Sequence, residues 1–143
     1  MSHRKYVLFA AALLLASQSA VAQESDIDGR VSVELNAAET VEASCKLTFV
    51  ITNGLEQPVD KLVYEAVLFD ETGQVDRLTL FDFGSLPPAR PRVRQFVVPE
   101  LTCEGLGSVL FNGASTCEGA DIVAGVCDTG LLATSRTHVG VSG

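Results

Sequence analysis

Four cysteines are the residues whose type and spacing carry the most chemical information in this 143-residue chain. They are Cys45, Cys103, Cys117 and Cys127. A dithiol redox centre uses a Cys-x-x-Cys pair and a structural zinc site uses paired short spacings, and neither pattern occurs here. We therefore expect two structural disulfides. Spacing alone leaves all three connectivities open.

Three closely spaced arginines, Arg90, Arg92 and Arg94, form a second pattern. Residues two apart in an extended segment point to the same side, so the three guanidiniums would share one face. Such a face could bind a carboxylate or phosphate of a partner through paired hydrogen bonds, and we predict these arginines as partner-binding residues. The alternative is that their charge, together with Pro91, protects an exposed edge strand from aggregation.

No residue pattern indicates catalysis. The segment around Ser115 lacks the second glycine of a nucleophile elbow, and His138 has no partner motif around it. Residues 26–29 lack the further ligands of a calcium loop. Only one histidine and no methionine follow residue 22, which excludes a copper carrier. We predict that the protein is not an enzyme and that it binds no metal or cofactor. If it were an enzyme, its proton-transfer groups would be Asp70, Asp76, Asp82 or His138.

Residues 1–22 have the features of a cleaved secretory signal. Arg4 and Lys5 form a basic start, residues 7–16 are apolar, and Ala20-Val21-Ala22 supplies small residues for cleavage. This apolar run is shorter than the roughly 20 residues that span a bilayer, so we expect no stable membrane insertion after cleavage. We predict export to the periplasm, where the cysteines would be oxidised. A flexible arm over residues 23–30 and one domain over residues 31–143 would remain.

The exported chain is acidic. Loss of Arg4 and Lys5 leaves 8 of the 10 basic residues against 18 acidic ones, a formal net charge of −10. Nucleic acid and anionic lipid repel such a chain, so neither is a predicted partner. We expect instead a protein or envelope partner.

Hydrophobic residues alternate with polar ones along much of the domain, which is typical of strands with one buried face. The predicted strands cover residues 31–35, 45–51, 62–69, 75–83, 92–98, 108–111 and 131–141. Strand 62–69 is apolar on both faces, and we expect both to be covered. Asn53-Gly54 predicts a turn with positive backbone angles. About seven short strands without helical crossovers favour an all-β, antiparallel sandwich.

Asn53, residues 67–75 and Leu86-Pro87-Pro88 together resemble FxLYD-type and related bacterial immunoglobulin-like domains, although Ala89 stands where that pattern has glycine. The whole chain is also similar to small exported alphaproteobacterial proteins of unassigned function. The resemblance implies an immunoglobulin-like β-sandwich in the periplasm and implies no catalytic residues. The 58-residue separation of Cys45 and Cys103 resembles the inter-sheet bridge of such sandwiches, which would leave Cys117 to pair with Cys127.

The function predicted from these features is a non-catalytic binding or accessory module that acts through protein contact. One alternative is a small-ligand binder or inhibitor that uses the loop between Cys117 and Cys127, since a disulfide-bounded loop presents recognition residues on a rigid frame. The least favoured alternative is a small hydrolase of an unrecognised type.

Overall fold

The computed structural model describes residues 26–143; the predicted signal peptide and the first residues of the predicted arm lie outside the described residues. The strands are β1 (Val31–Val41), β2 (Ser44–Asn53), β3 (Val59–Asp70), β4 (Val75–Leu86), β5 (Arg92–Val98), β6 (Leu106–Glu118), β7 (Leu132–Ser135) and β8 (Gly140–Ser142). One turn of 3-10 helix, Cys103–Gly105, precedes β6.

The strands form two four-stranded sheets that pack as a sandwich. The first sheet has the order β5-β2-β1-β7 and the second has the order β4-β3-β6-β8. The all-β sandwich predicted from the sequence is confirmed. Most strand pairs are antiparallel, as the sequence predicts, but β7 lies parallel to β1 and β8 lies parallel to β6, so both sheets are mixed.

The parallel pairs arise because the single strand predicted over residues 131–141 divides in two. The hydroxyl oxygen of Ser135 accepts a hydrogen bond from the Thr137 amide at 3.1 Å, and that of Thr137 accepts one from the Val139 amide at 3.0 Å. Such local bonds compete with strand pairing and turn the chain. As a result β7 joins the first sheet and β8 joins the second, on the side of the sandwich opposite β4 and β5.

The core lies between the sheets and is rich in aromatic rings. Alternating residues of β1 and β2 are fully buried, as their period of two predicts. Phe49 of β2 lies at the centre, and its ring centroid is 5.7 to 6.0 Å from those of Phe81, Phe83, Phe96 and Phe111. Edge-to-face and tilted pairs of this kind stabilise a core beyond the area that they bury.

The turn predicted at Asn53-Gly54 is wrong, because neither residue has a positive φ. Asn53 instead ends β2 fully buried, and its side chain bonds the backbone of Leu55, Gln57 and Leu86 at 2.8 to 3.0 Å. The amide and carbonyl of Gly54 pair with residues 29 and 30. Residues 26–30 of the predicted flexible arm are therefore held in a turn against the end of β2.

Candidate functional site

The two disulfides close as the resemblance implied, and they anchor different parts of the sandwich. Cys45 at the start of β2 bonds to Cys103, with a sulfur–sulfur distance of 2.09 Å. Cys117 at the end of β6 bonds to Cys127, with a distance of 2.03 Å. Closed disulfides persist in oxidising compartments and are rare in the cytosol, so they indicate a non-cytoplasmic protein.

The second disulfide lies close to a buried tyrosine of the core. The hydroxyl of Tyr64 in β3 donates a hydrogen bond to the carbonyl oxygen of Cys127 at 2.5 Å. Burial is the main reason that the pKa of Tyr64 is raised, and the negative charge of Asp128 raises it further. The loop between Cys117 and Cys127 is thus attached to the core at its far end.

The three arginines do not share one exposed face. Arg90 lies in the connection before β5, whereas Arg92 and Arg94 lie on the side of β5 that faces the second sheet. Arg94 donates from Nε to the Phe83 carbonyl at 2.9 Å and from Nη2 to the Ser85 carbonyl at 3.3 Å. Its guanidinium therefore links β5 to the backbone of β4.

A second arginine makes a similar link in the opposite direction. Arg77 of β4 donates to the carbonyl of Pro99, just beyond β5, at 2.6 Å, and it also pairs with Asp76 at 2.6 Å. Between the two arginines, the rings of Phe81 and Phe96 stack with centroids 4.5 Å apart. Charged side chains that point inward at a sheet edge hinder the addition of further strands. Arg77 and Arg94 thus protect the edges formed by β4 and β5.

The outer face of the second sheet carries an apolar surface that the sequence analysis did not assign to a site. Leu78 and Leu80 of β4 are 58% and 60% exposed and lie opposite Val67 and Glu65 of β3. Leu110 of β6 pairs with Val67 on its other side. We call the outward-facing set Val63, Val67, Leu78, Leu80 and Leu110 the apolar face.

Val63 and Val67 show how this surface differs from the core. They are only 7% and 8% exposed, yet they are not members of the hydrophobic core cluster. The prediction that both faces of this strand are covered therefore holds for these two valines. Val63 lies between Asp82 and Thr116 of the flanking strands, and Val67 lies between Leu78 and Leu110.

The outer face of the first sheet is more polar. Its outward pairs are Lys46 opposite Val97, Thr48 opposite Gln95 and one apolar pair, Val50 opposite Val93, and the side chains of Gln95 and Thr48 are hydrogen-bonded at 3.0 Å. An antiparallel sheet with one solvated face normally has this polar pattern. The outer face of the second sheet, in contrast, has adjacent apolar residues on three neighbouring strands.

A carboxylate lies within the apolar face. A β-bulge in β6 places Gly113 opposite Glu65 and Phe111 opposite Ala66, which leaves Asn112 as the extra residue. Asn112 donates from its side-chain amide to the Glu65 carboxylate at 2.7 Å. Bulges commonly redirect a side chain at functional positions, and this one holds Glu65 in a defined orientation.

A separate groove lies beside the loop between Cys117 and Cys127. It has a volume of about 240 Å³ and is lined by Gly29, Leu55, Glu56, Gln57, Asp121, Ile122, Val123 and Val126. Val123 is 73% exposed at its rim. Sites for drug-sized ligands usually measure about 300 to 1,000 Å³, so this groove suits only a small or partly bound molecule.

The remaining candidates for chemistry have local structural partners. Asp70 accepts hydrogen bonds from the Thr72 hydroxyl and from the amides of Thr72 and Gln74, and the Thr72 hydroxyl is the main reason that the pKa of Asp70 is lowered. The His138 ring lies 3.0 Å from the Cys103 carbonyl.

Within residues 26–143, no group of three histidine, cysteine or acidic side chains could hold a metal ion. No helix in that range is long and apolar enough to cross a membrane.

The fold and the bridges define a two-sheet β-sandwich with two disulfides. No family model, curated protein or solved structure matches the chain.

Proposed function

We propose that this protein is a periplasmic, non-catalytic binding or accessory module that acts through contact with another protein. The exposure of Leu78 and Leu80 on the apolar face is the observation that carries this proposal. Contiguous apolar patches on soluble proteins commonly mark sites of protein contact. The predicted signal peptide and the two disulfides support the periplasmic part of the proposal.

The arginines contribute to this proposal in different ways. Arg90 is exposed, and the hydrogen bond of Arg92 goes only to the neighbouring Pro91 carbonyl. Both remain proposed contact residues. Because Arg94 also links the two sheets, reversal of its charge would disturb the fold, and a test of contact should change only Arg90 and Arg92.

The experiment is photocrosslinking in intact cells from a photoreactive residue at one position at a time. Position 80 samples the apolar face, position 97 samples a similarly exposed valine on the opposite sheet, and position 92 samples the arginines. We expect one recurrent protein adduct from position 80 and none from position 97. If positions 80 and 92 both gave only scattered adducts, the proposal of a protein-binding module would be wrong.

A second candidate function is small-ligand binding at the loop between Cys117 and Cys127, which the groove beside Val123 favours. Photocrosslinking from position 123 tests it in parallel. If that position alone captured a specific molecule, the loop would be the site and the apolar face would not.

A further inference from the structure

We propose that the apolar face binds a partner protein that presents aliphatic side chains around one lysine or arginine, whose cation pairs with Glu65. This inference rests on the proposed function and adds the chemistry of the partner. It concerns the outer face of the second sheet and not its edge, because Arg77 and Arg94 already occupy backbone carbonyls along the side formed by β4 and β5.

Shallow grooves lie on both sides of the Glu65 side chain. One of about 290 Å³ is lined by Glu65, Leu78, Thr79 and Leu80. The other, of about 170 Å³, is lined by Glu65, Asn112, Gly113, Ala114 and Ser115. Two aliphatic side chains of a partner could therefore occupy the surface on either side of a central cation.

The Glu65 carboxylate is free to bind a cation. Within residues 26–143 its hydrogen bond comes from Asn112, and the two ion pairs of that region join Lys46 to Glu39 and Arg77 to Asp76. Glu65 is partly buried between apolar neighbours. A charge pair that forms where water is partly excluded is stronger than one in open solvent.

Charge complementarity selects the class of partner. Glu65 lies at the centre of the apolar face and Asp82 at its rim, opposite Val63, whereas Lys61 and Glu118 lie opposite each other one step beyond Val63. The whole chain has a formal net charge of −8. A second copy docked face to face would bring Glu65 toward Glu65, whereas a basic partner meets opposite charge and is also attracted over longer distances.

The test is a nitrogen-15 NMR titration of the folded, disulfide-bonded protein with two blocked peptides. The first has alternating valines and leucines around a central lysine, with threonine at the remaining positions. The second differs only by glutamate in place of that lysine. We expect the lysine peptide to shift the amide signals of Glu65, Val67, Leu80 and Leu110, and to bind about tenfold more tightly than the glutamate peptide.

Matched variants identify the residues responsible. Glu65→Gln should remove the preference for lysine while the protein stays folded, since glutamine can still accept the Asn112 bond. Leu78→Ser with Leu80→Ser should abolish binding of the lysine peptide. Val93→Ser with Val97→Ser, at residues that are 58% and 62% exposed on the first sheet, should leave it unchanged.

The proposal is overturned if the two peptides bind equally well, if neither binds at the highest soluble concentration, or if the shifts fall on β5 or on the loop between Cys117 and Cys127. Shifts confined to β4 and β5 would indicate strand addition instead. If neither peptide binds but position 80 gives a recurrent crosslink, only the chemistry assigned to the partner is refuted. Only scattered adducts from both position 80 and position 92 would refute the proposed function itself.

Discussion

Arg94 donates a hydrogen bond from Nε to the backbone carbonyl of Phe83, 2.9 Å away on the opposite sheet. This contact connects the edge strands β4 and β5, which also meet through the stacked rings of Phe81 and Phe96. The sequence suggests Arg94 as a partner-binding residue, whereas in the structure it links the two sheets. The neighbouring Arg92 makes no such contact and provides a natural control.

Replacement of Arg94 should therefore weaken the fold more than replacement of Arg92. Arg94→Gln should lower the free energy of unfolding by about 2 kcal/mol, because hydrogen bonds to a charged donor contribute about 1.5 to 3 kcal/mol. Arg92→Gln should change it by less than about 0.5 kcal/mol, because the guanidinium of Arg92 bonds the adjacent Pro91 carbonyl and does not link the sheets. Urea denaturation measures both. Equal effects would show that the bonds of Arg94 do not stabilise the sandwich.

The same substitution should expose the edge of β4. Arg94→Gln should increase concentration-dependent self-association, since it removes a charge from an inward-facing edge position. Sedimentation velocity of both variants provides the comparison.

The two disulfides should differ in their contribution to stability. Cys45 and Cys103 are separated by 58 residues, and Cys117 and Cys127 by 10. On chain-entropy grounds, replacing the long bridge by two alanines should cost about 4 kcal/mol and replacing the short one about 3 kcal/mol. A larger loss from the short bridge, measured by chemical denaturation, would show that its loop stabilises the core beyond the cross-link itself.

Ala89 is a position where glycine should improve stability. Its φ is +60°, in the left-handed region, and its amide donates to the carbonyl of Asn53 at 2.8 Å. This conformation costs a non-glycine residue about 1 to 2 kcal/mol, whereas the flexibility of glycine costs about 0.5 to 1 kcal/mol. Ala89→Gly should therefore raise the free energy of unfolding by about 0.5 kcal/mol.

The control for that change is Ala37→Gly, an exposed position of β1 that is not among the positive-φ residues. It should lower stability by about 0.5 to 1 kcal/mol. If both glycines lowered stability, the backbone at Ala89 would not be strained.

Tyr64 should make the protein sensitive to alkaline pH. Burial raises the pKa of Tyr64 in the folded state, so the unfolded chain loses this proton first as the pH increases. The stabilisation is complete below the ordinary tyrosine pKa of about 10 and is lost as the pH rises from there through the raised folded pKa.

Tyr64→Phe tests this linkage. The substitution should lower the free energy of unfolding by about 1 kcal/mol at neutral pH, because the Cys127 carbonyl loses its hydrogen-bond donor. It should also make stability decline less steeply once the pH exceeds about 10. Thermal unfolding across this range measures the difference. Parallel curves for the two proteins would contradict the linkage.

Several features of this fold follow from the sequence alone. The period-two alternation in β1 and β2 identifies buried strands, because it reflects which face each residue presents to the core. The cysteine spacing and the lack of reactive motifs indicate structural disulfides. The arginines around Pro91 indicate an edge strand, and β5 is one.

Other features depend on contacts between residues far apart in the chain. The division of the last strand places β7 beside β1 and β8 beside β6, and only the completed sheets offer those edges. Arg94 links the two sheets because β4 lies within reach of its guanidinium. The sequence around Arg94 does not indicate that β4 lies there. Likewise, Leu78 and Leu80 form a surface only where β3 and β6 bring Val67 and Leu110 beside them.

The sequence by itself thus determined the class of fold, the positions of most strands and the residues that form disulfides, since these depend on local periodicity and on residue type. The tertiary structure alone decided which apolar residues face outward and which arginines are available to a partner. A pattern of alternating side chains specifies two faces of a strand, but it does not state which face another layer covers. That choice depends on how the two sheets pack, and it left the apolar face around Glu65 exposed.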